Sequence, residues 1–140
     1  MLKRLFLSMR PEQWIKNLFI FATLLFSKNL FHLTKFLIVL LGFGLFCLVA
    51  SSVYLINDVF DIASDRKHPL KSRRPLPSGE LKVRTAVIAA AIIGLAGLAV
   101  AFYLRPEFGT VTFVYFILNL AYSGYLKRIV IIDVLKSLYA

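Results

Sequence analysis

The sequence predicts an all-α protein that crosses a membrane several times. Three observations carry that expectation. Of the 140 residues, 59% are hydrophobic, against roughly 45–50% in ordinary soluble domains. The mean hydropathy is +0.78. The charges fall in the gaps between uncharged runs that are long enough to span a bilayer. The net charge of +10 is therefore a loop charge of the kind that orients membrane helices, and no nucleic-acid partner is expected. The single cysteine, Cys47, lies inside an apolar run and reads as a packing residue. No cleavable signal peptide is expected, because Arg10-Pro11-Glu12-Gln13 interrupts any apolar leader.

The elements follow in order. Residues 1–13 read as a short amphipathic lead, with Leu2, Leu5 and Phe6 on the membrane surface and Lys3 and Arg4 towards headgroups. Pro11 suits a first helical turn. A first span is expected over residues 14–31. Lys16 and Asn17 near its start leave two readings open: an interfacial anchor beside Trp14, or a pair facing a polar cavity. Residues 36–57 carry no charge and form the second span, about 33 Å long at an α-helical rise. Its small residues Gly42, Gly44, Ala50, Ser51 and Ser52 permit close helix packing. Residues 58–84 form the longest polar segment, in which Pro69, Pro75, Pro77 and Gly79 exclude one continuous helix. A third span covers 85–104 and a fourth 108–126, closed by Lys127 and Arg128; residues 129–135 open a fifth. With the N-terminus inside, the outer loops hold only Lys28, Lys35 and Arg105, so the polar segment faces the cytoplasm. No internal repeat is visible, and the whole chain reads as part of a single domain in the plasma (inner) membrane.

The candidate site lies at the end of the second span. Asn57-Asp58-Val59-Phe60-Asp61-Ile62-Ala63-Ser64-Asp65 places Asp58, Asp61 and Asp65 at i, i+3 and i+7, on one helical face. Like charges stacked so closely repel unless a cation lies between them. Oxygen-only ligands suit a hard ion such as Mg²⁺. A solvated charged loop is the plainer reading. It is disfavoured because Asp58 and Asp61 continue the phase of an apolar span, and carboxylates at the hydrocarbon boundary are costly and usually functional. Cations follow at once: Arg66, Lys67, Lys71, Arg73 and Arg74. Metal and guanidinium groups together suit a diphosphate, and the implied chemistry is displacement of diphosphate with the leaving group stabilised. No Ser or Cys stands beside a base, so no covalent intermediate is expected.

These residues carry a resemblance. Asn57-Asp58-x-x-Asp61-x-x-x-Asp65 resembles the first aspartate-rich motif of the UbiA superfamily of intramembrane prenyltransferases. Arg73-Arg74-Pro75-Leu76-Pro77-Ser78-Gly79 and Tyr122-Ser123-x-x-Leu126-Lys127 resemble two further segments of that family, in the same order. Arg10-Pro11-x-Gln13-Trp14-x-Lys16-Asn17, together with Asp65-Arg66-x-His68-Pro69-x-Lys71-x-x-Arg74-Pro75, is similar to the branch that transfers phosphoribosyl to a polyprenyl (decaprenyl) phosphate. The resemblance implies an all-α bundle. It implies 5-phosphoribosyl 1-diphosphate as donor, held through Mg²⁺ by Asp58, Asp61 and Asp65 with Asn57 assisting. Lys16, Asn17, Arg66, Lys71, Arg73, Arg74, Tyr122 and Lys127 are then the phosphate-binding candidates. The acceptor is a polyprenyl phosphate with its tail among the helices, for cell-envelope polysaccharide precursors. Two other readings stay open: prenyl transfer from a diphosphate to a small acceptor, and an inactive assembly protein. Family members are about twice as long and carry a second aspartate motif in their second half, so this chain is expected to be an N-terminal half, from a truncated gene, a split gene or an incomplete assembly, with the missing C-terminal half as a candidate partner.

Overall fold

The computed structural model describes residues 1–139, with the side chains of 130–132, 134, 135 and 139 left aside. Every regular element among the described residues is helical. They are α1 (Leu2–Ser8), a 3₁₀ helix (Pro11–Phe21), α2 (Ala22–Phe26), α3 (Leu33–Phe60), α4 (Ile62–Arg66), a short 3₁₀ turn (Lys71–Arg73), α5 (Val83–Leu104), α6 (Pro106–Ala121), a π turn (Tyr122–Leu126) and α7 (Lys127–Tyr139). Two of these, α3 and α5, are long and apolar enough to cross a membrane.

Helices α3 and α5 form the frame. Their contact is close because the residues between them are small. Ser52 donates a hydrogen bond from Oγ to the Ala90 carbonyl across the interface at 2.8 Å. A Cβ at Gly94 would lie 2.6 Å from Ser52 Oγ, and one at Gly97 2.8 Å from Val49 Cγ2. Dispersion at short range, which small residues permit, holds such helix pairs where lipid supplies no hydrophobic drive.

The expected first span over 14–31 is not one α-helix. Residues 11–21 wind as 3₁₀, α2 ends at Phe26, and left-handed Lys28 (φ 58°) turns the chain. A long 3₁₀ stretch is uncommon, and here its register has a reason. Trp14 donates from Nε1 to Ser51 Oγ at 2.9 Å, and Asn17 from Nδ2 to Cys47 Sγ at 3.4 Å. Three residues of 3₁₀ helix and four of α-helix both rise about 6 Å. The 3₁₀ winding therefore keeps residues 14 and 17 in step with 51 and 47 along α3. Its greater rise also carries residues 11–26 about 30 Å, the thickness of the hydrocarbon core.

The fourth and fifth spans are also differently divided. Lys127 and Arg128 do not close a helix: α6, the π turn and α7 run on without a break from Pro106 to Tyr139. Lys127 is neutralised by Asp61 at 2.6 Å, so its charge does not force the helix to end there.

The core nearest the aspartates ties the N-terminus and the polar segment to α3 and α5. Met9, Leu55, Leu76, Leu81, Ala86 and Ala90 pack together, with Leu5 and Trp14 against them. The lead is thus folded onto the protein through Leu5 and Met9, and Arg4 pairs with Glu80 at 3.2 Å. Leu2 and Phe6 remain exposed as the amphipathic pattern predicts.

Candidate active site

Asp58 closes the last turn of α3. Asp61 then takes φ −94°, ψ 2° between α3 and α4. Backbone bonds from Asp61 N to Asn57 O (3.0 Å) and from Asp65 N to Asp61 O (2.8 Å) carry the winding through. Seven residues of α-helix return to within about 20° of the same direction, whereas three leave about 60°. Asp58 and Asp65 accordingly point to one place and Asp61 to another. The side chains of Asp58 and Asp65 are only 3% and 4% exposed.

Arg74 joins that pair. Its Nη1 lies 3.5 Å from Asp58 Oδ1 and 3.2 Å from Asp65 Oδ2. The loop before α5 delivers it. Pro75 and Pro77 fix their own φ. Leu76 and Leu81 are fully packed in the core. Bonds from Ser78 N to Arg74 O, Gly79 N to Leu76 O and Leu81 N to Pro75 O close the turn on itself. Gly79 takes φ 81°, a left-handed value that only glycine adopts without cost. Arg66 braces the same loop, donating from Nε to the Pro77 carbonyl at 3.1 Å.

Arg10, which the sequence reading left out of the site, is the second partner of Asp58: its Nη2 donates to Asp58 Oδ1. Its guanidinium also stands 5.3 Å from the centre of the Tyr54 ring. Arg10 is itself left-handed (φ 52°, ψ 61°), a conformation that costs a non-glycine residue roughly 1–2 kcal/mol. The strained turn between α1 and the 3₁₀ helix directs the side chain onto the aspartate. Ion pairing 48 positions apart leaves no local spacing signal; the one trace in the sequence is an arginine just before Pro11.

The remaining candidates divide. Asp61 pairs with Lys127 at 2.6 Å on the wall of a cavity of about 250 Å³, lined also by Ser64, Ser123 and Arg128. Asn17 is buried against α3 while Lys16 is exposed. Lys71 and Arg73 are exposed on the 3₁₀ turn, and Tyr122 is exposed on the π turn. Asn57 is half-buried and contributes its carbonyl to the Asp61 amide.

The donor set can be tested against Mg²⁺. Among the described residues no three His, Cys, Asp or Glu side chains converge on one point. Asp58 and Asp65 do converge, on one nitrogen of Arg74. Mg²⁺ is commonly held by one or two carboxylates, with substrate phosphates and water completing its shell, and this pair fits that pattern. Beside it lies a cavity of about 160 Å³ bounded by Ser8, Arg10, Glu12, Gln13, Asp58 and Arg74 and closed by Leu7 and Pro75. An apolar groove of about 630 Å³ runs along α3 from Trp14, lined by Leu37, Leu41, Phe43, Gly44 and Leu48 among others.

Comparison with known proteins gives the family of the chain. The chain is similar to decaprenyl-phosphate phosphoribosyltransferase of Mycobacterium tuberculosis, 35% identical over 131 residues that cover 91% of this chain and 43% of that protein. It is 35% identical to the protein of the same name from Corynebacterium glutamicum, covering 91% of this chain and 40% of that one. It is 33% identical to nodulation protein NoeC of Azorhizobium caulinodans, covering 93% and 43%. The chain spans about two-fifths of the length of these curated relatives. The sequence model of the UbiA prenyltransferase family matches residues 17–136, and the chain belongs to that family.

Proposed function

We propose that this chain carries the donor site of a membrane transferase that moves 5-phosphoribosyl from 5-phosphoribosyl 1-diphosphate to a polyprenyl phosphate, releasing diphosphate. The observation that carries the reading is the cluster of two buried aspartates and two arginines, Asp58, Asp65, Arg10 and Arg74. Its charges balance without a ligand. A metal and a diphosphate inserted together change that balance by only about one charge: the carboxylates turn to the metal and the guanidinium groups to the diphosphate oxygens. Asp58 and Asp65 would hold Mg²⁺, which when bound neutralises charge on the leaving diphosphate. Arg10 and Arg74 grip the diphosphate and take up the charge that develops as the anomeric C–O bond breaks. An acceptor phosphate oxygen forms the new bond at the anomeric carbon. Lys127 and Arg128, which line the cavity beside Asp61, would receive that acceptor phosphate. The groove along α3 suits its hydrocarbon tail. The cation distribution supports a plasma-membrane protein with this site on the cytoplasmic side. The names of two similar proteins support the phosphoribosyl donor.

Equilibrium binding to the detergent-solubilised chain tests the reading. Labelled 5-phosphoribosyl 1-diphosphate is expected to bind with Mg²⁺ and to lose at least ten-fold in affinity without it, and likewise in Asp58→Asn and Asp65→Asn. A tighter Mg²⁺-dependent complex with a prenyl diphosphate would overturn the donor assignment.

A further inference from the structure

Ser8 Oγ is the one buried side-chain polar atom among the described residues that makes no hydrogen bond. Ser8 is 3% exposed and borders the cavity of about 160 Å³ that Arg10, Asp58 and Arg74 also line. A buried hydroxyl without a partner is costly, and each such group in a folded protein calls for a reason. Glu12, which is exposed, and Gln13, which is half-buried, stand on the same cavity, within a turn of left-handed Arg10. The cavity therefore has two chemically distinct ends. One presents the guanidinium groups of Arg10 and Arg74. The other presents the buried Ser8 hydroxyl, which has no partner, beside the Gln13 carboxamide and the water-exposed Glu12 carboxylate.

We propose that Ser8, Glu12 and Gln13 form a subsite for the hydroxyl groups of a sugar ring whose 1-diphosphate lies at Arg10 and Arg74; the inference rests on the donor reading above and names the residues that select its sugar. A carboxylate is a pure acceptor and suits a vicinal diol, each hydroxyl of which donates. The carboxamide and the serine hydroxyl can donate and accept, so they match the remaining hydroxyl hydrogens and lone pairs. The volume, about that of five waters, admits a small polar ring and excludes an isoprenoid chain. A prenyl group would also leave the buried Ser8 hydroxyl without a partner, and sites built to bond a hydroxyl reject ligands that lack one. Helix α1 and the strained turn at Arg10 thus act as the sugar-selecting wall of the site.

Binding to the intact chain in detergent with Mg²⁺ separates the possibilities, using 5-phosphoribosyl 1-diphosphate, inorganic diphosphate and geranyl diphosphate as probes. Ser8→Ala and Glu12→Gln are each expected to weaken the phosphoribosyl ligand about five-fold, the loss of one hydrogen bond, and to leave the other two ligands unchanged. Ligand-free Ser8→Ala should melt no lower than the wild type, since it removes an unpartnered buried group. A wild type that prefers phosphoribosyl diphosphate while both variants bind it normally overturns the subsite alone. Equal weakening of all three ligands also overturns it, as the sign of a structural role. A wild type that binds geranyl diphosphate more tightly, or does not bind the phosphoribosyl ligand, overturns the donor reading and the subsite with it.

Discussion

Removing Arg74 should destabilise the fold more than removing Arg10, although Arg10 is the closer partner of Asp58. The reason is the number of buried carboxylates each change leaves without a cation. In Arg10→Met, Asp58 keeps Arg74 at 3.5 Å and Asp65 keeps it at 3.2 Å. The loss is then one charged hydrogen bond, about 1.5 kcal/mol at the low end for such bonds. In Arg74→Met, Asp58 keeps Arg10, but Asp65 loses its one ion pair among the described residues while staying buried. Leaving a buried charge without its partner costs about 3–5 kcal/mol. The Arg74 side chain is 35% exposed, so water reaches the pair, and about 2–3 kcal/mol is the fitting figure. At this chain length a kilocalorie moves the melting temperature by about 3 °C. Arg74→Met should therefore melt about 6–9 °C below the wild type, and Arg10→Met about 4–5 °C below. Adding Asp65→Asn to Arg74→Met removes the orphaned charge and should recover at least half of the shift. The assay is a thermal melt in detergent at fixed pH and salt. A lower melting temperature for Arg10→Met than for Arg74→Met, or no recovery on adding Asp65→Asn, would refute the proposed sharing of Arg74.

Two further outcomes follow from the frame of the protein. Gly94→Ala and Gly97→Ala should each lower the melting temperature by about 3–9 °C, the effect of about 1–3 kcal/mol of overpacking, because the new Cβ would meet Ser52 and Val49 inside 3 Å. Gly42→Ala, with its nearest neighbour at 3.6 Å, should be neutral or slightly stabilising, and an equal loss at Gly42 would argue against the close packing of α3 on α5. Deleting Gly124 should convert the π turn to α-helix and leave Lys127 facing Asp61, because a π turn takes up one extra residue in nearly the same rotation. Lys127→Met should then cost about 1 kcal/mol, as fits a partly exposed ion pair, in the wild type and in the deletion background alike; no cost in the deletion background would show that the π turn does more than take up one residue.

What the sequence made legible, and what it hid, follows from the range of the forces involved. The uncharged runs at 36–57 and 85–104 predict α3 and α5 well because transfer free energy sums along a contiguous stretch and needs no partner to be recognised. Asp58 and Asp65 could be placed on one face because a heptad spacing is almost in phase with the helix. The same argument groups Asp61 with them, and there 60° of phase sends it to Lys127 instead. The winding of residues 11–21 was hidden because hydropathy does not register rise per residue. That winding is fixed by Ser51 and Cys47 on another helix, which make 3₁₀ the form that keeps step.

The two features that complete the site share one character: each is a local departure from ideal backbone that tertiary charge pairing maintains. At Arg10 the chain turns left-handed, and Asp58 receives the guanidinium. At Tyr122–Leu126 the helix widens to a π turn, and Asp61 receives Lys127. Neither departure is signalled by propensity, since arginine is no left-handed residue and Tyr-Ser-Gly-Tyr-Leu gives no sign of a π turn. Both are paired with an aspartate of the same short stretch at the end of α3. Carboxylates close to the hydrocarbon boundary demand counter-charges, and the chain accepts strain of about 1–2 kcal/mol at a turn to supply one. The aspartates thus organise the irregular backbone around them as well as the ligand chemistry. A substitution that neutralises Asp58 is accordingly expected to relax the Arg10 turn and open the wall formed by α1, coupling loss of the anion site to loss of the pocket beside it.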